Sequence, residues 1–401
     1  MKLWLRRNEN LVVSGLVFLT ILIIAIQAFL LGDKYYGNVG PYTHYNNYII
    51  FKESFVHLVN GENLYATYPS QHWDIFKYTP TLALFFGIFK IFPDVIGLAL
   101  WNSINAGILL WSLIRLKQHL KFSLWLPIIF VIPDLITSIQ NFQSNALIAA
   151  LIIHAWIFLE RKNVGPAVFC IAAAMFIKPF AIVAFAMFLL YPYKLKSAVW
   201  TVVATLMLFV LPIPITGFSA LIAHYSDWMT MLQNDHDIAV GISVTGILQS
   251  ITGAAISKTF VLFVGAAIFM LPFIWFRNFV DVHFRAMILA SVLIWIVIFN
   301  HKAESPTFII AVSGVAIWFL TSDKRIYEKI LLILCFILTC LSASDIFPTS
   351  IREEIVKPYN LKALPCIVIW LVIIVKLIKH KATNATSQTS DSGQTIEFRV
   401  H

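Results

Sequence analysis

The chain of 401 residues is 59% hydrophobic and only 12% charged, and its formal net charge is +9. A soluble domain carries about 25% charged residues, so this composition indicates a polytopic membrane protein and excludes a large independent soluble domain. The basic excess is typical of cytoplasmic loops, and without a basic soluble face we expect no nucleic-acid partner.

The first predicted span follows a short basic N-terminus. About twenty apolar residues come after Arg6 and Arg7. This run is longer than the apolar region of a cleavable signal peptide and lacks the small-residue cleavage site. We therefore expect an uncleaved membrane-spanning helix over residues 10–31.

Further apolar stretches follow in chain order, and each is interpreted as a spanning helix. They cover residues 94–115, 122–138, 143–160, 164–177, 179–193, 195–214, 257–276, 284–300, 306–320, 327–345 and 362–380. Basic clusters fall between them, and placing those clusters in the cytoplasm puts both chain ends inside. The predicted fold class is all-α, a polytopic integral membrane protein with about 12 transmembrane helices in one domain over residues 1–381.

Two stretches allow more than one topology. Residues 79–92 are apolar but short, and we interpret them as a half-buried or interfacial helix, because a full crossing would reverse the side of later basic loops. The spans 164–177 and 179–193 meet at Lys178-Pro179. Because proline breaks a helix, we expect a hairpin with Lys178 at its outer tip. The alternative is a single kinked helix.

The outward segments contain most of the polar side chains expected to have a function. Two of them are long, a first outward loop over 32–78 and a second over 215–256, whereas residues 382–401 are polar and predicted to form a disordered cytoplasmic tail. Within the first loop, residues 47–60 predict an amphipathic helix at the membrane interface that ends at Gly61 and turns its apolar stripe toward lipid. Alternatively, this helix only covers the bundle.

Several outward residues could take part in chemistry. The first loop holds the ionisable residues Asp33, His44 and Glu53, and the short loops 139–145 and 300–305 are rich in hydrogen-bonding groups. Lys178 stands within a long apolar stretch, where it could pair with an anionic lipid phosphate or extend to the interface. The cysteines form no CxxC, and the common metal-binding and phosphate-loop motifs are absent. We therefore expect no cofactor and no metal-ligating residues, with a divalent cation left open.

A series of short motifs, taken in order, resembles one known family. The motifs are Asn47-Tyr48 with Phe51, Gly61 with Tyr65, Phe76-Lys77-Tyr78-Thr79-Pro80, Trp101 with Asn105, Phe142-Gln143-Ser144-Asn145, Lys178-Pro179 and Ser305-Pro306. Over about residues 10–320 the chain resembles glycosyltransferase family 87, the polyprenyl-phosphate-dependent mannosyltransferases of the GT-C class. None of the motifs is specific alone, but their order and spacing match.

This resemblance implies transfer of a hexose, with mannose the expected sugar. A polyprenyl-phosphate sugar would be the donor and a lipid or glycan the acceptor, at the outer face of a cytoplasmic membrane whose lipids surround the protein. The predicted catalytic residues are Asp33, His44, Asn47 and Glu53. The family aspartate stands here as Asn47, which cannot take a proton, so Asp33 is the first expectation for the base. The predicted substrate-binding residues are Lys77, Tyr78, Gln143, Asn145, Lys178, His301 and Lys302.

Two other functions stay open at this point. A twelve-span transporter or lipid-linked glycan flippase should have an internal repeat and polar residues near the bilayer midplane. The two halves of the sequence show no repeat, and the polar residues concentrate in loops. A non-catalytic GT-C-like protein is the third possibility, and Asn47 in place of the aspartate favours it.

Overall fold

The computed structural model describes residues 4, 7–36, 39–238 and 240–380, with the backbone alone over 235–238. This part of the chain is almost entirely helical, which confirms the predicted all-α class. One two-stranded antiparallel sheet occurs among the described residues, and it pairs β1 (Lys34–Tyr36) with β2 (Val39–Tyr42). The predicted tail, 382–401, lies outside the described residues.

Fifteen helices are labelled here in chain order. They are α1 Glu9–Leu30, α2 Asn46–Asn60, α3 Pro80–Phe85, α4 Asp94–Leu120, α5 Trp125–Gln140, α6 Asn145–Glu160, α7 Val164–Ile177, α8 Lys194–Val210, α9 Phe218–Ile238, α10 Val244–Thr252, α11 Lys258–Met270, α12 Val282–Ile298, α13 Phe308–Thr321, α14 Ile326–Cys335 and α15 Leu364–Lys379. The remaining described helical segments are 3₁₀, π-helical or one-turn. They are Phe86–Ile91, Ser103–Gly107 within α4, Pro179–Leu190, Ile213–Thr216, Leu271–Ile274, Phe276–Val280, Ser305–Thr307, Phe336–Leu341, Thr349–Ile351, Arg352–Val356 and Leu361–Ala363.

Helical segments occupy all of the predicted spans. Among the described residues, four helices are long and apolar enough to cross a membrane. They are Glu9–Leu30, Asp94–Leu120, Lys194–Thr216 and Leu361–Lys379. The other apolar helices are shorter than the roughly 20 residues of a straight crossing. The structure therefore supports a membrane protein, while the count of twelve crossings stays a prediction.

The short apolar stretch 79–92 forms the helix Pro80–Ile91, which is half-buried as predicted. Its side chains divide between two faces. Ala83, Phe86 and Phe89 are buried, whereas Ile88 and Ile91 are exposed. A helix with one apolar face in the protein and one outside it suits a position against the lipid.

The two helical segments on either side of Lys178 form a hairpin. Lys178 adopts an extended backbone conformation, with φ −138° and ψ 120°, so it interrupts the helix. Its side chain contacts Asn145 at the first residue of α6, whereas Tyr191, after the second segment, donates to Glu160 at the last residue of α6. The two segments therefore run antiparallel to each other beside α6. This confirms the hairpin and excludes a single kinked helix.

Helix α2 packs differently from the prediction. Tyr48, Phe51 and Leu58 are almost completely buried, and the Phe51 ring stacks on Phe86 with centroids 4.8 Å apart. The predicted orientation of the apolar stripe toward lipid is therefore wrong, because the aromatic side chains of the following helices cover it. The predicted end at Gly61 is confirmed, since this residue has φ 70°.

A close contact between α2 and α4 yields a stability prediction. A Cβ atom added at Gly97 would lie 1.9 Å from Tyr48 Oη and 2.9 Å from its Cζ. We therefore expect Gly97→Ala to lower the free energy of unfolding by about 1–3 kcal/mol, as overpacking does. The measurement is the unfolding midpoint in detergent micelles.

Two further variants control this experiment. Gly107 lies in the same helix and an added Cβ meets nothing within 4 Å, so Gly107→Ala should not destabilise the protein. Adding Tyr48→Phe to Gly97→Ala removes the nearest clashing atom and should restore part of the stability. Equal midpoints for Gly97→Ala and Gly107→Ala would contradict the contact.

Two ion pairs fix the helix bundle. In its interior, Lys362 Nζ lies 2.9 Å from Asp134 Oδ1, and the two side chains are at most 4% exposed. At the Tyr191 end of the hairpin, Arg285 binds Glu160 through Nε and Nη2, each 2.6 Å from a carboxylate oxygen. Bidentate geometry of this kind favours a fixed orientation, so the second pair holds α6 against α12.

Candidate active site

A cavity of about 470 Å³, here called the main cavity, lies at the end of the bundle where α6 begins. Its walls come from six separate parts of the chain: the sheet with the start of α2, residues 73–78, the turn 141–143, the hairpin tip, α9 and the loop 300–304. Volumes of about 300–1,000 Å³ are typical of small-molecule sites, so the cavity is large enough for a sugar phosphate.

Most of the predicted site residues meet in this cavity. Those that line it are Asn47, Lys77, Tyr78, Gln143, Lys178, His301 and Lys302. Asn145 is fully buried beneath them. The structure therefore brings these predicted binding side chains together, and their roles stay predictions.

A chain of hydrogen bonds joins three of the walls. Lys178 Nζ donates to Asn145 Oδ1 at 2.7 Å, and Asn145 Nδ2 donates to Gln143 Oε1 at 2.7 Å. Gln143 Nε2 donates in turn to Glu304 Oε2 at 3.2 Å. Asn145 Nδ2 also lies 3.0 Å from the Pro306 carbonyl oxygen. The hairpin tip, the 141–145 turn and the 300–305 loop are thus held in one arrangement.

Among its described lining residues, the main cavity has more positive than negative groups. Four lysines line it, namely Lys34, Lys77, Lys178 and Lys302, together with the carboxylates Asp74 and Glu304. Asp74 Oδ2 accepts a hydrogen bond from Lys77 at 2.8 Å. Such an excess of cations favours an anionic ligand.

The Lys178 ammonium at the hairpin tip has a perturbed pKa. Burial lowers its pKa to about 8, and although Glu304 opposes this shift, Lys77 adds to it. A pKa near 8 leaves the ammonium charged at neutral pH. A bound anion would stabilise that charge.

Apolar side chains complete the cavity. They include Ile50, Phe51, Ile177, Pro179, Phe180 and Leu232. The Phe180 ring meets His301 edge to face, with centroids 5.4 Å apart. A cavity with cations and an apolar wall suits a ligand with a charged head and a hydrophobic tail.

Three of the predicted catalytic residues lie elsewhere. Asp33 is exposed and does not line the main cavity, and His44 lines a neighbouring cavity that shares Asn47 with it. Glu53 is paired with Lys90 at 3.1 Å. Asp33, His44 and Glu53 therefore do not line the main cavity, and their catalytic roles stay predictions.

The carboxylates that do line the main cavity, Asp74 and Glu304, were not among the predicted site residues. Both had a sequence signal. Asp74 precedes the Phe76–Pro80 motif by two residues, and Glu304 follows His301 and Lys302 in one loop. Asp74 also has φ 71°, a left-handed conformation that is uncommon for aspartate and frequent at functional sites.

A protein-family model, described as glycosyltransferase family 87, matches residues 76–299, more than half of the chain. The chain belongs to glycosyltransferase family 87. A search of curated proteins found none that matches. The matched region of this family-87 glycosyltransferase includes Lys77, Gln143 and Lys178 of the main cavity, and it ends just before the loop with His301.

Among the described residues of this glycosyltransferase, no group of three His, Cys, Asp or Glu side chains could hold a metal ion. The described carboxylates that line the main cavity are Asp74 and Glu304. The expectation of no cofactor, with a divalent cation left open, stays a prediction to be tested with the enzyme itself.

The position of the 300–305 loop depends on one glycine and yields a prediction. Gly241 has φ 60°, and an added Cβ would lie 2.7 Å from the His301 carbonyl oxygen and 2.9 Å from Ala303 N. Ile242 N donates to the Ala303 carbonyl at 2.8 Å beside it. We expect Gly241→Ala to displace the loop and lower glycosyltransferase activity by up to about 10²-fold, measured as initial rate.

The matched control for this variant is Gly253→Ala. Gly253 has φ 67°, so alanine meets similar backbone strain there, but the added Cβ has nothing within 4 Å. This control should keep most of its activity. If the two variants lost activity equally, backbone strain rather than loop displacement would be the cause.

Proposed function

We propose that this glycosyltransferase transfers a hexose, with mannose the first candidate, from a polyprenyl-phosphate sugar donor. The acceptor is a lipid or glycan hydroxyl, and the reaction takes place at the outer face of a cytoplasmic membrane. The observation that supports the donor class is the main cavity, in which four lysines face two carboxylates beside an apolar wall. The cations suit the donor phosphate, and the apolar side chains suit the start of its polyprenyl chain.

The proposed reaction is a direct displacement at the anomeric carbon. The acceptor oxygen forms a bond to that carbon while the bond to the phosphate oxygen breaks, and polyprenyl phosphate leaves with the electron pair. Lys178 and Lys302 stabilise the negative charge that develops on the leaving phosphate. The acceptor proton passes to a carboxylate of the cavity wall.

Neutral polar side chains would orient the sugar and the acceptor. Asn47 and Gln143 line the main cavity and present amides to it, while Asn145 lies beneath and supports Gln143. Amides both donate and accept hydrogen bonds, which suits sugar hydroxyls. With Asn47 at the position of the family aspartate, its role is in binding rather than proton transfer.

The test is donor consumption by the purified protein in lipid nanodiscs. Radiolabelled polyprenyl-phosphate mannose is added with alkyl mannoside acceptors, and released polyprenyl phosphate and labelled product are both counted. Comparing transfer from donors that carry glucose or galactose identifies the preferred sugar. Comparing transfer with and without EDTA shows whether a divalent cation is required. A flippase or a non-catalytic relative would leave every donor intact, and that result would overturn the proposal.

The pKa of Lys178 gives the proposal a pH dependence. Because burial lowers this pKa to about 8, the ammonium is charged below pH 8 and becomes neutral above it. Donor affinity should therefore weaken by up to about tenfold for each pH unit above 8, until the raised pKa of the complex is reached. The measurement is the dissociation constant of polyprenyl-phosphate mannose from pH 6.5 to 9.5.

Lys178→Arg is the control for this pH profile. Arginine stays protonated over the whole range, so its donor affinity should be nearly constant. An identical decline in the arginine variant would assign the pH dependence to another group.

A further inference from the structure

A second cavity, here called the C-terminal cavity, adjoins the main cavity. It has a volume of about 570 Å³, and its walls include residues 304–306, 342–343 and 352–362. Two residues, Asn141 and Glu304, line both cavities. Glu304 therefore stands on the boundary between two spaces that are each large enough for a sugar.

The charges of the C-terminal cavity are balanced, unlike those of the main cavity. Its cations are Arg352, Lys357 and Lys362, and each has a carboxylate nearby. Lys357 pairs with Glu353 at 2.7 Å, Lys362 with Asp134 at 2.9 Å, and Arg352 with Glu353 at 3.3 Å. A balanced lining does not select a phosphate.

Hydrogen-bonding groups are instead plentiful there. The neutral side chains on its walls include Thr137, Asn141, Ser305, Ser342 and Asn360. Asn360 is positioned by its Nδ2, which donates to the Gly246 carbonyl at 3.2 Å. Hydroxyls and amides of this density suit a neutral ligand that itself carries several hydroxyls.

Much of this cavity lies outside the region that matches the family model. The match ends at residue 299, whereas Glu304, Arg352, Lys357 and Asn360 all follow it. The matched region supplies Lys178 and Gln143 of the main cavity. The chain thus builds the C-terminal cavity largely from its own segment, as expected for the part of an enzyme that selects its particular substrate.

We infer that the C-terminal cavity binds the acceptor as a neutral polyhydroxylated head group and that Glu304 is the general base. This inference rests on the proposed function. The acceptor hydroxyl approaches the anomeric carbon from the C-terminal cavity and its oxygen forms the new glycosidic bond. The hydroxyl proton moves to the Glu304 carboxylate, and the electron pair of the broken bond leaves with the polyprenyl phosphate. Water then takes the proton from Glu304.

Glu304 suits this role better than Asp74. Asp74 lines only the main cavity of these two, and its Oδ2 is already occupied by the hydrogen bond from the Lys77 ammonium. The Glu304 carboxylate accepts hydrogen bonds from neutral donors, from the Gln143 amide at Oε2 and from the Thr307 backbone N–H. A general base needs both contact with the acceptor and an ionised oxygen toward it.

The first experiment compares Glu304→Gln with Asp74→Asn in nanodiscs. The donor is polyprenyl-phosphate mannose and the acceptor probe is octyl α-mannoside. We expect Glu304→Gln to lower kcat by about 10²–10⁴-fold with the donor KM nearly unchanged, since glutamine keeps the shape but cannot accept the proton. Asp74→Asn should keep a higher kcat than Glu304→Gln. The reverse order of the two variants would overturn the assignment of the base.

The second experiment tests the acceptor cavity. Asn360→Ala and Lys357→Gln should raise the KM for octyl α-mannoside by about tenfold while leaving the donor KM unchanged. Lys196→Gln, an exposed change near the Tyr191 end of the hairpin, is the matched control. A parallel arm with methyl α-mannoside separates a lipid-linked acceptor, which requires the alkyl chain, from a free glycan. Equal effects on donor and acceptor KM would overturn the cavity assignment.

The two proposals fail in different ways. If the wild-type protein consumes no donor under any condition, the proposed function is wrong and this inference falls with it. If the wild-type protein transfers mannose and Glu304→Gln does so at the same rate, only the inference is wrong. The unfolding midpoint of each variant is measured in parallel, so that loss of folding is distinguished from loss of chemistry.

Discussion

Lys178→Met is expected to lower the rate of hexose transfer by about 10²–10³-fold, the usual effect of removing one group that stabilises transition-state charge. Lys178 is held at the hairpin tip by its hydrogen bond to Asn145 and lies in a cavity with a partly apolar wall. A cation with little surrounding water interacts strongly with the charge that develops on a leaving phosphate. The measurement is the initial rate with saturating donor and acceptor.

Two comparisons support the interpretation of that result. Lys178→Arg keeps a cation and should retain much more activity than Lys178→Met, although the different geometry of arginine lowers the rate. The unfolding midpoints of both variants should stay close to that of the wild type, because methionine fills the space and Asn145 keeps its bonds to Gln143 and Pro306. Rapid transfer by Lys178→Met would remove the phosphate role.

Lys362→Met is expected to produce the largest loss of stability, about 3–5 kcal/mol in the free energy of unfolding. Asp134 is completely buried, and its Oδ1 accepts a hydrogen bond from Lys362 Nζ at 2.9 Å. Removing the lysine leaves a buried carboxylate without its cation, and the cost of that charge greatly exceeds the value of the pair itself. The measurement is equilibrium unfolding in mixed micelles.

The double variant Asp134→Leu with Lys362→Met separates the two contributions. Replacing both charged groups by apolar side chains is often neutral or stabilising, so the double variant should recover most of the lost stability. Asp134→Leu alone leaves the Lys362 ammonium buried and should be nearly as unstable as Lys362→Met. Additive losses in the double variant would mean that the pair is not what stabilises this region.

Hydropathy predicts the helices of this chain well, because a long apolar run has few alternatives to a helix in a bilayer. The hairpin could also be predicted, since Pro179 cannot continue the hydrogen-bond ladder of α7. The direction in which the apolar stripe of α2 faces could not be predicted. Its apolar residues have the same periodicity whether they face lipid or the rings of Phe86 and Trp101, and only the packing decides.

The same distinction applies to which predicted site residues line the main cavity. Loop residues such as Gln143 and His301 adjoin the ends of helices that meet at one end of the bundle, so their convergence follows from topology. Glu53 is six residues beyond Asn47 on α2, which at 100° per residue turns it to a different face of the helix. Its exclusion from the cavity could therefore have been foreseen from the helix. The position of Glu304 between two cavities could not have been foreseen, because the walls of the C-terminal cavity include residues far along the chain.

The row of side chains from Lys178 to Glu304 has a consequence for the binding of the two substrates. Each donor along it points the same way, from the ammonium through two amides to the carboxylate. A phosphate that draws the ammonium toward itself loosens the first link, and the amides behind it can then turn. If donor binding changes the affinity for the acceptor through Glu304, acceptor binding changes the affinity for the donor by the same factor. The signature of such a relay is that the donor and the acceptor each raise the affinity for the other by the same factor, whichever binds first.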